Sequence, residues 1–279
     1  AVRQMLARYR LPEMPEEWNQ LAFDDHVYDA NTLGRKSPTH LIMDAWIKGL
    51  RSLTVAYEYW VQPEAAREIL RAAEITGIAV RIGLEFHVPF YGRCISLFWI
   101  PRGFSSNEDF LEFLHNPKLV EIMQRGREVL RWRRRRVLQS LALWNARQRP
   151  QLEATLGFAV PELTSEAFLR FVGRGQASAQ HLAEALHRHM LPVLRQRAAH
   201  LAALNTEEAR AELQALDAFG VEDVLEQWLS PLRHPEMPDL SNPATARDLP
   251  ALMQLSVQEL TRELADLNPG YRLVLGTQD

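Results

Sequence analysis

SLTVAYEYWVQPEAAREILRAAEITGIAVRIGLEF, residues 52–86, is the stretch that decides the fold. It begins with a short apolar run rich in β-branched and aromatic residues and ends with a second run of the same kind, and each run has the length of a strand. Between them, Pro63 opens a segment with helical spacing that continues to Thr76 and is closed by Gly77. A strand–helix–strand unit of this length predicts two parallel strands joined by a right-handed crossover.

The same alternation extends to either side of this stretch. Upstream, an apolar run at residues 21–23 precedes a helical segment that Ser37 and Pro38 begin and Gly49 ends. Downstream, residues 94–100 form a fourth run of strand length. Taken together, these segments predict an α/β fold with a barrel or doubly wound core.

From about Ser106 the sequence changes to helical spacing. The helices are predicted at residues 107–114, 117–144, 165–172, 178–203, 206–218 and 221–229. A proline-rich connection, a last helix at 250–267 and a fifth strand at 271–275 follow. We therefore predict a partial (β/α) barrel interrupted by a large all-helical insertion. The predicted parts are a helical lead-in at 1–20, a barrel half at 21–104, the insertion at 105–250 and a return helix and strand at 251–279.

Composition limits the classes of function. A chain of 279 residues that is 47% hydrophobic can bury a substantial core, and no apolar run approaches the roughly 18 residues that cross a bilayer. The single cysteine, Cys94, excludes an internal disulfide and lies in an apolar run, where an inert core thiol is expected. These features predict a reducing, cytoplasmic location. A net charge of −3 gives no global argument for nucleic-acid binding.

The order of these elements and the residues at their strand ends resemble the PHP (polymerase and histidinol phosphatase) family. In that family the first strand ends in Asp-x-His-x-His, the second in Thr-Asp-His and the third in Gly-x-Glu, and the fourth carries a histidine. The corresponding stretches here are DDHVY at 24–28, AYE at 56–58, GLE at 83–85 and GRCISL at 92–97. Gly173-Arg174 followed by His181 resembles a later family motif more weakly. The resemblance covers residues 21–188.

The resemblance implies a metal-dependent phosphoesterase that uses Mn²⁺, Zn²⁺ or Mg²⁺. Carried over position by position, His26 and Glu85 match the ligand types of the family. Four positions depart from it: Tyr28, Tyr57, Glu58 and Ser96 stand where His, Asp, His and His are expected. The resemblance therefore implies a metal site that has fewer ligands than usual or has been lost. If the site is lost, no cofactor is expected.

Divalent metals neutralise phosphate charge and lower the pKa of bound water. The carboxyl ends of parallel strands meet at one rim, so we predict His26, Glu58 and Glu85 as the catalytic residues. With His87, the same three residues are the predicted ligands of one metal ion. Simpler roles stay open for each: a hydrogen-bonded histidine for His26 or His87, an ion pair with Arg81 or Arg93 for Glu85, and packing for Glu58.

Several other residues are candidates for supporting roles. Arg174 and Arg93 are the predicted phosphate contacts. Asp24 and Asp25 are candidates for orienting His26. His181, His187 and His189 lack the spacing of a metal-binding helix, so we predict that they lie on a helix surface.

Seven arginines crowd one predicted helix: Arg125, Arg127, Arg131, Arg133, Arg134, Arg135 and Arg136. They wrap around the helix, so some must point inward or pair with acids such as Glu121 and Glu128. They predict either a solvated helix with buried arginine stems or a surface that binds phosphate or nucleic acid.

Two functions follow as hypotheses. The first is a phosphoesterase acting on a phosphorylated small molecule or nucleic acid with a reduced or lost metal site. The alternative is a non-catalytic module that binds a partner protein or nucleic acid through the Arg-rich helical insertion. Because a PHP barrel needs more strands than the sequence shows, the remainder of a longer chain is a further expected partner.

Overall fold

The fold is described from a computed structural model for residues 23–204, 206–240, 242 and 246–276. The predicted lead-in at residues 1–20 and the first two residues of the predicted first strand lie outside this range.

Five strands form one curled, half-barrel sheet in the order β1-β2-β3-β4-β5. Their bounds are β1 Phe23–Val27, β2 Ser52–Glu58, β3 Ala79–Phe90, β4 Arg93–Ile100 and β5 Arg272–Gly276. The first three strands are parallel, as their helical connections predict. β4 and β5 are antiparallel to their neighbours, so the sheet is mixed and departs from a regular (β/α) repeat.

A tight hairpin turn causes the change of direction after β3. Tyr91 and Gly92 join β3 to β4 with φ of 48° and 77°, which is the left-handed pair that a two-residue hairpin requires. A connection this short cannot carry the crossover that a parallel β4 would need.

Two helices connect the parallel strands: α1 at Pro38–Ile47 lies between β1 and β2, and α2 at Pro63–Thr76 lies between β2 and β3. They pack against each other, and α2 also packs against β3. The Ser37 side chain caps α1 by accepting a hydrogen bond from the backbone of His40. Gly77 ends α2 in the left-handed conformation. Ile42 of α1 and Ile69 of α2 are fully buried. The capping signals of the sequence thus place both helices correctly.

The chain between β4 and β5 is helical. It contains α3 Asn107–Phe113, α4 Pro117–Leu143, a π-helical turn Trp144–Gln148, α5 Arg149–Leu156, α6 Ser165–Val172, α7 Ala179–Leu204, α8 Glu207–Ala218, α9 Val221–Trp228, α10 Ala251–Gln254 and α11 Val257–Leu267. The prediction of a single helix at 250–267 is wrong, because the helical conformation is interrupted between α10 and α11. Ser256 and Glu259 exchange side-chain to backbone hydrogen bonds there, a capping box that starts a new helix.

The described residues divide into two compact units. The first contains the described residues up to Arg131, residues Arg174–Gln176 and the described residues from Asn242 onward, and it holds the five strands. The second contains residues 132–173 and 177–241. Its core is built on large buried side chains such as Trp144, Phe168 and Leu186. Within the described ranges, none of the helices combines the length and the apolar character needed to cross a membrane.

Candidate functional site

The carboxylate of Glu85 is the centre of a buried polar cluster in the first unit. Glu85 lies on β3 and is 4% exposed. The phenol of Tyr28, just after β1, donates a hydrogen bond to Oε2 of Glu85. The hydroxyl of Ser96, on β4, donates one to Oε1. Hydroxyls of two residues therefore donate to the two oxygens of this carboxylate, at positions 28 and 96, where the sequence resemblance led us to expect histidines.

His26 lies beside the same carboxylate. Its Nε2 is 3.4 Å from Oε2 of Glu85, and its ring stacks on Phe98 with centroids 4.8 Å apart and planes 9° apart. The side chain of His26 is 42% exposed. The structure thus brings His26 and Glu85 together at the rim formed by β1 and β3, with one face of the imidazole packed and the ring still accessible.

Hydrogen bonds and charge shift the pKa values of this pair in opposite directions. Burial acts to raise the pKa of Glu85, but the hydrogen bond with His26, the charge of His87 and the two hydroxyl donors outweigh it and lower the pKa to about 2. The hydrogen bond with Glu85 raises the pKa of His26 against the opposing effect of its partial burial. Glu85 is accordingly an anion stabilised by protein donors.

Glu58 and His87 form a second acid–imidazole pair next to the first. Glu58 is the register partner of Glu85 on the neighbouring strand. Its Oε1 lies 3.9 Å from Nδ1 of His87, and both side chains are buried. The backbone N–H of His87 donates to the hydroxyl of Tyr59 at 3.1 Å. Tyr59 itself has a φ of 58° and no exposed surface, so a strained residue supports this pair.

Tyr57, which stands where the sequence resemblance led us to expect an aspartate ligand, has a different partner. Its hydroxyl donates to Oδ2 of Asp29 at 2.5 Å, and Asp29 has no exposed surface. The backbone N–H of Asn31 donates to Oδ1 of Asp29 at 2.8 Å. Burial, followed by the charge of Asp29, raises the pKa of the Tyr57 phenol above its usual range. This phenol therefore stays protonated and serves as a hydrogen-bond donor.

The two arginines predicted to contact phosphate lie in different places. Arg93 is exposed and pairs with Phe90 next to the hairpin turn. Strand alternation puts it on the face opposite to Glu85, so the structure does not bring it to the cluster. Arg174 is exposed in a segment that returns to the rim. Two residues further on, the side-chain amide of Gln176 donates to the backbone carbonyl of Glu58 at 3.4 Å.

Neither aspartate next to His26 holds its ring in place. Oδ1 of Asp24 accepts from the backbone N–H of His26 at 3.3 Å. Asp25 accepts a hydrogen bond from Thr54 and forms an ion pair with Arg272 on β5. The ring of His26 is instead positioned by Glu85 and Phe98. The role proposed for Asp24 and Asp25 from the sequence therefore finds no geometric support.

Other side chains of the predicted set have structural contacts. Cys94 is buried, as an inert core thiol would be. His181 is buried rather than on a helix surface, and its ring Nδ1 lies 2.8 Å from the hydroxyl of Ser178. The surface prediction for His181 is thus wrong, because the residue begins the buried face of α7.

The donor set does not fit a metal cluster. The four predicted ligands form two acid–imidazole pairs, His26 with Glu85 and Glu58 with His87. In the part of the chain that the structure describes, no three His, Cys, Asp or Glu side chains form a group able to hold a metal ion. The hydroxyls of Tyr28 and Ser96 occupy the carboxylate that a cluster would need, and a neutral hydroxyl is a poorer ligand than imidazole.

Sequence reasoning missed Asp29 and Thr32 altogether, although both are fully buried. Asp29 accepts the hydrogen bond of Tyr57, and the Thr32 backbone carbonyl accepts one from Gln176 at 2.9 Å. Both residues follow β1 in a turn. A turn sequence such as Asp29-Ala30-Asn31 signals a local hydrogen bond, but nothing in it indicates that the turn is buried under another segment.

Comparison with known proteins supports the fold alone. The structure is similar to that of an amidohydrolase from Chromobacterium violaceum determined with bound sulfate and no metal, at 15% identity and a TM-score of 0.51. The match covers 91% of this chain and 66% of that chain. This chain thus spans just under two thirds of the length of the amidohydrolase.

Other comparisons add less. A protein from Bifidobacterium adolescentis assigned as a metal-dependent phosphoesterase matches at 14% identity over 89% of this chain and 97% of that one. Its TM-score is 0.43. No family model matches the sequence, and no curated protein does either.

Proposed function

We propose that this chain is a PHP-like domain that has lost its metal centre and works by binding rather than by hydrolysis. One observation carries the proposal: Tyr28 and Ser96 donate hydrogen bonds to the two carboxylate oxygens of Glu85. Both hydroxyls stand at positions where the family resemblance implies metal-binding histidines. The cluster is then a structural core that has replaced a metal site.

The energetics of the cluster favour this function. A metal that used Glu85 would have to displace the hydroxyls of the half-buried Tyr28 and the buried Ser96 and leave them without their acceptor. Leaving a buried polar group unsatisfied costs about 1–3 kcal/mol per group. A pKa of about 2 shows how strongly the protein donors already stabilise the anion. A metal ion therefore has to compete for the Glu85 carboxylate with the hydroxyls of Tyr28 and Ser96, which the folded protein already holds in place.

The binding surface that we propose is the exposed side of the Arg-rich helix within the second unit. Arg136 is held in place there, with its guanidinium 4.9 Å over the ring of Trp132 and 3.4 Å from the backbone carbonyl of Asp239. Arg134 and Arg135 are exposed beside it. Exposed arginines on a helix suit the phosphates of a nucleic-acid backbone.

Other arginines of this helix have structural partners. In the first unit, Nη1 of Arg125 forms an ion pair with Glu263 at 2.8 Å. The guanidinium of Arg127 lies 4.2 Å over the ring of Trp60. The sequence led us to expect Glu121 and Glu128 as partners, yet Arg125 pairs with an acid far away in the sequence. Part of the arginine run is therefore structural.

The loss of the metal centre is tested by titrating the purified protein with Mn²⁺, Zn²⁺ and Mg²⁺ and assaying hydrolysis. Suitable substrates are p-nitrophenyl phosphate, its bis-ester and short nucleic acids. We expect no hydrolysis above that of a Glu85→Gln variant. Hydrolysis that depends on metal and disappears in Glu85→Gln would contradict the proposal.

Nucleic-acid binding is tested by fluorescence anisotropy with labelled single- and double-stranded oligonucleotides. The Arg134→Gln/Arg135→Gln variant should bind more weakly and with a shallower salt dependence, since fewer counterions are released. The matched control, Arg195→Gln/Arg233→Gln, removes the same charge from two other exposed arginines of the second unit. If oligonucleotide binding is weakened equally in both variants, or if the wild type does not bind, the proposal of this binding surface is refuted.

A second function rests on the accessibility of His26. Its imidazole is 42% exposed beside Glu85, so a substrate or a single metal ion can reach it from solvent. An accessible imidazole beside a carboxylate is a pair of ligand types that a single catalytic metal ion uses. The same metal titration separates the two functions, because only the hydrolase predicts activity that requires both His26 and Glu85.

We also propose a cytoplasmic location. The sole cysteine, Cys94, is a free and buried thiol, which suits a reducing compartment. Fractionation of the source cells with an antibody to the chain would test this location.

A further inference from the structure

A cavity of about 410 Å³ lies in the first unit at the start of β3, away from the Glu85 cluster. It is bounded by the beginning of β3, by α2, and by the loop that leads from β4 into α3. Arg81 and Glu85 are four residues apart on β3, which separates this cavity from the cluster by roughly 13 Å along the strand. It lies outside the Glu85 cluster and outside the Arg-rich part of α4.

The polar side of the cavity is cationic. Arg81 and Arg102 both line it. None of the described residues along its wall is an aspartate or a glutamate. Across the described part of the chain, no carboxylate forms an ion pair with either arginine. A concave site that has two arginines and no carboxylate among its described lining residues favours an anionic ligand.

The other side of the cavity is apolar. Leu70 of α2, Ile82 of β3 and Phe110 of α3 line it and are themselves buried. Phe104 lines it as well and packs edge-to-face on Phe110 with ring centroids 5.3 Å apart. A ligand that fills this space therefore has an apolar or aromatic part beside its charge.

Hydrogen bonds between side chains and the backbone hold the loop that carries Arg102. Asn268, at the end of α11, accepts from the backbone N–H of Arg102 at 3.1 Å and donates to its carbonyl at 2.9 Å. Ser105 donates its backbone N–H to Asp109 at 3.1 Å, and the Ser106 side chain caps α3. The wall is therefore preorganised, which reduces the entropy cost of binding.

We propose that this cavity is a binding site for a small organic anion with an apolar part, such as an aryl phosphate or an aryl carboxylate. Arg81 and Arg102 recognise the acid group, and the side of the cavity formed by Phe104, Phe110 and Leu70 takes the apolar part. The site is independent of the function proposed above, since it shares no residue with the Glu85 cluster or with the exposed arginines of α4.

The experiment is a titration of the whole protein with phenyl phosphate, benzoate and inorganic phosphate, followed by calorimetry or by NMR. We expect saturable binding of phenyl phosphate or benzoate, and the tighter of the two identifies the preferred acid group. The Arg81→Met/Arg102→Met variant should weaken that binding about tenfold or more, because a charge-assisted hydrogen bond contributes about one factor of ten. Circular dichroism checks that the variant is folded.

The matched control is Arg51→Met/Arg67→Met, which removes two exposed arginines of the same unit that do not line the cavity. Three results would overturn the proposal. One is the absence of saturable binding by both aryl anions up to about 10 mM, which is the weak end of specific affinity. Another is equal weakening in the control variant. The third is inorganic phosphate binding as tightly as phenyl phosphate, which would remove the role of the apolar side.

Discussion

The hydroxyl of Ser96 on β4 donates a hydrogen bond to Oε1 of Glu85 on the adjacent strand β3. The phenol of Tyr28 supplies the same kind of bond to the other oxygen. Together they turn a carboxylate that resembles a metal ligand into the acceptor of a buried hydrogen-bond network. Polar networks of this kind stabilise a fold only while every member is satisfied.

Removing either hydroxyl donor should therefore destabilise the protein. We expect Ser96→Ala and Tyr28→Phe each to lower the free energy of unfolding by about 1–3 kcal/mol, the cost of leaving a buried acceptor with one partner fewer. Chemical denaturation measures this change. Ser105→Ala and Tyr91→Phe are the matched controls, since both residues are exposed, and they should change stability by less than about 0.5 kcal/mol. Control variants as unstable as the test variants would refute the network.

The depressed pKa of Glu85 predicts a component of acid denaturation. A carboxyl group whose pKa falls from 4.5 to about 2 on folding contributes stability above pH 4.5. That stability is lost as the pH falls from 4.5 towards 2, because the unfolded chain takes up the proton first. The loss is on the order of 3 kcal/mol, at about 1.4 kcal/mol per pH unit.

Glu85→Gln provides the comparison for this acid component. The variant should be less stable than the wild type at pH 7, and the difference should shrink as the pH approaches 2, because glutamine does not titrate. Urea denaturation at a series of pH values measures it. A stability difference that stays constant from pH 5 to pH 2 would show that the folded protein does not stabilise the Glu85 anion.

Restoring the expected ligand types should restore metal binding. Tyr28 and Ser96 are both within hydrogen-bond reach of Glu85, and His26 lies beside it. The Tyr28→His/Ser96→His variant would place three imidazoles around one carboxylate, a donor set that suits Zn²⁺ or Co²⁺. We expect one Co²⁺ per chain with visible d–d absorption. A folded variant without that absorption would contradict the assignment of positions 28 and 96.

The sequence was informative where local signals decide the structure. Pro63 and Gly77 delimit α2, and the alternation of strands and helices gives three parallel strands. That strand order also brings His26 to Glu85. The direction of β4 was not evident, because the turn at Tyr91 carries a left-handed tyrosine in place of the usual asparagine or aspartate.

The partners of buried polar groups could not be predicted, because they depend on contacts between distant parts of the chain. Tyr57 pairs with Asp29, and Glu58 lies beside His87, across 28 and 29 residues of sequence. The predicted metal ligands are close in the fold, yet His26 pairs with Glu85 and His87 pairs with Glu58. Periodicity places strand ends, but it does not determine which donor a carboxylate finds.

Substitution of Gly126 tests whether its close approach to the backbone of Tyr59 stabilises the fold. A Cβ atom on Gly126 would lie 2.5 Å from the backbone oxygen of Tyr59 and 2.7 Å from its Cβ. Because the backbone of Tyr59 is buried and already in the left-handed region, we expect Gly126→Ala to cost about 1–3 kcal/mol of stability. Thermal or chemical unfolding measures this.

Gly270→Ala is the control for that substitution. Its added Cβ would meet its nearest neighbour at 3.6 Å, an ordinary contact distance. We expect a change within about 0.5 kcal/mol. Similar losses in the two variants would indicate that the close approach of Gly126 to Tyr59 does not constrain the fold.

The most direct test of the central claim is a Co²⁺ titration of the wild-type protein, followed by visible absorption and compared with Glu85→Gln. If protein hydroxyls have replaced the metal centre, the wild type shows no saturable d–d band and is indistinguishable from the variant. A band that saturates at one Co²⁺ per wild-type chain and disappears in Glu85→Gln would contradict the account.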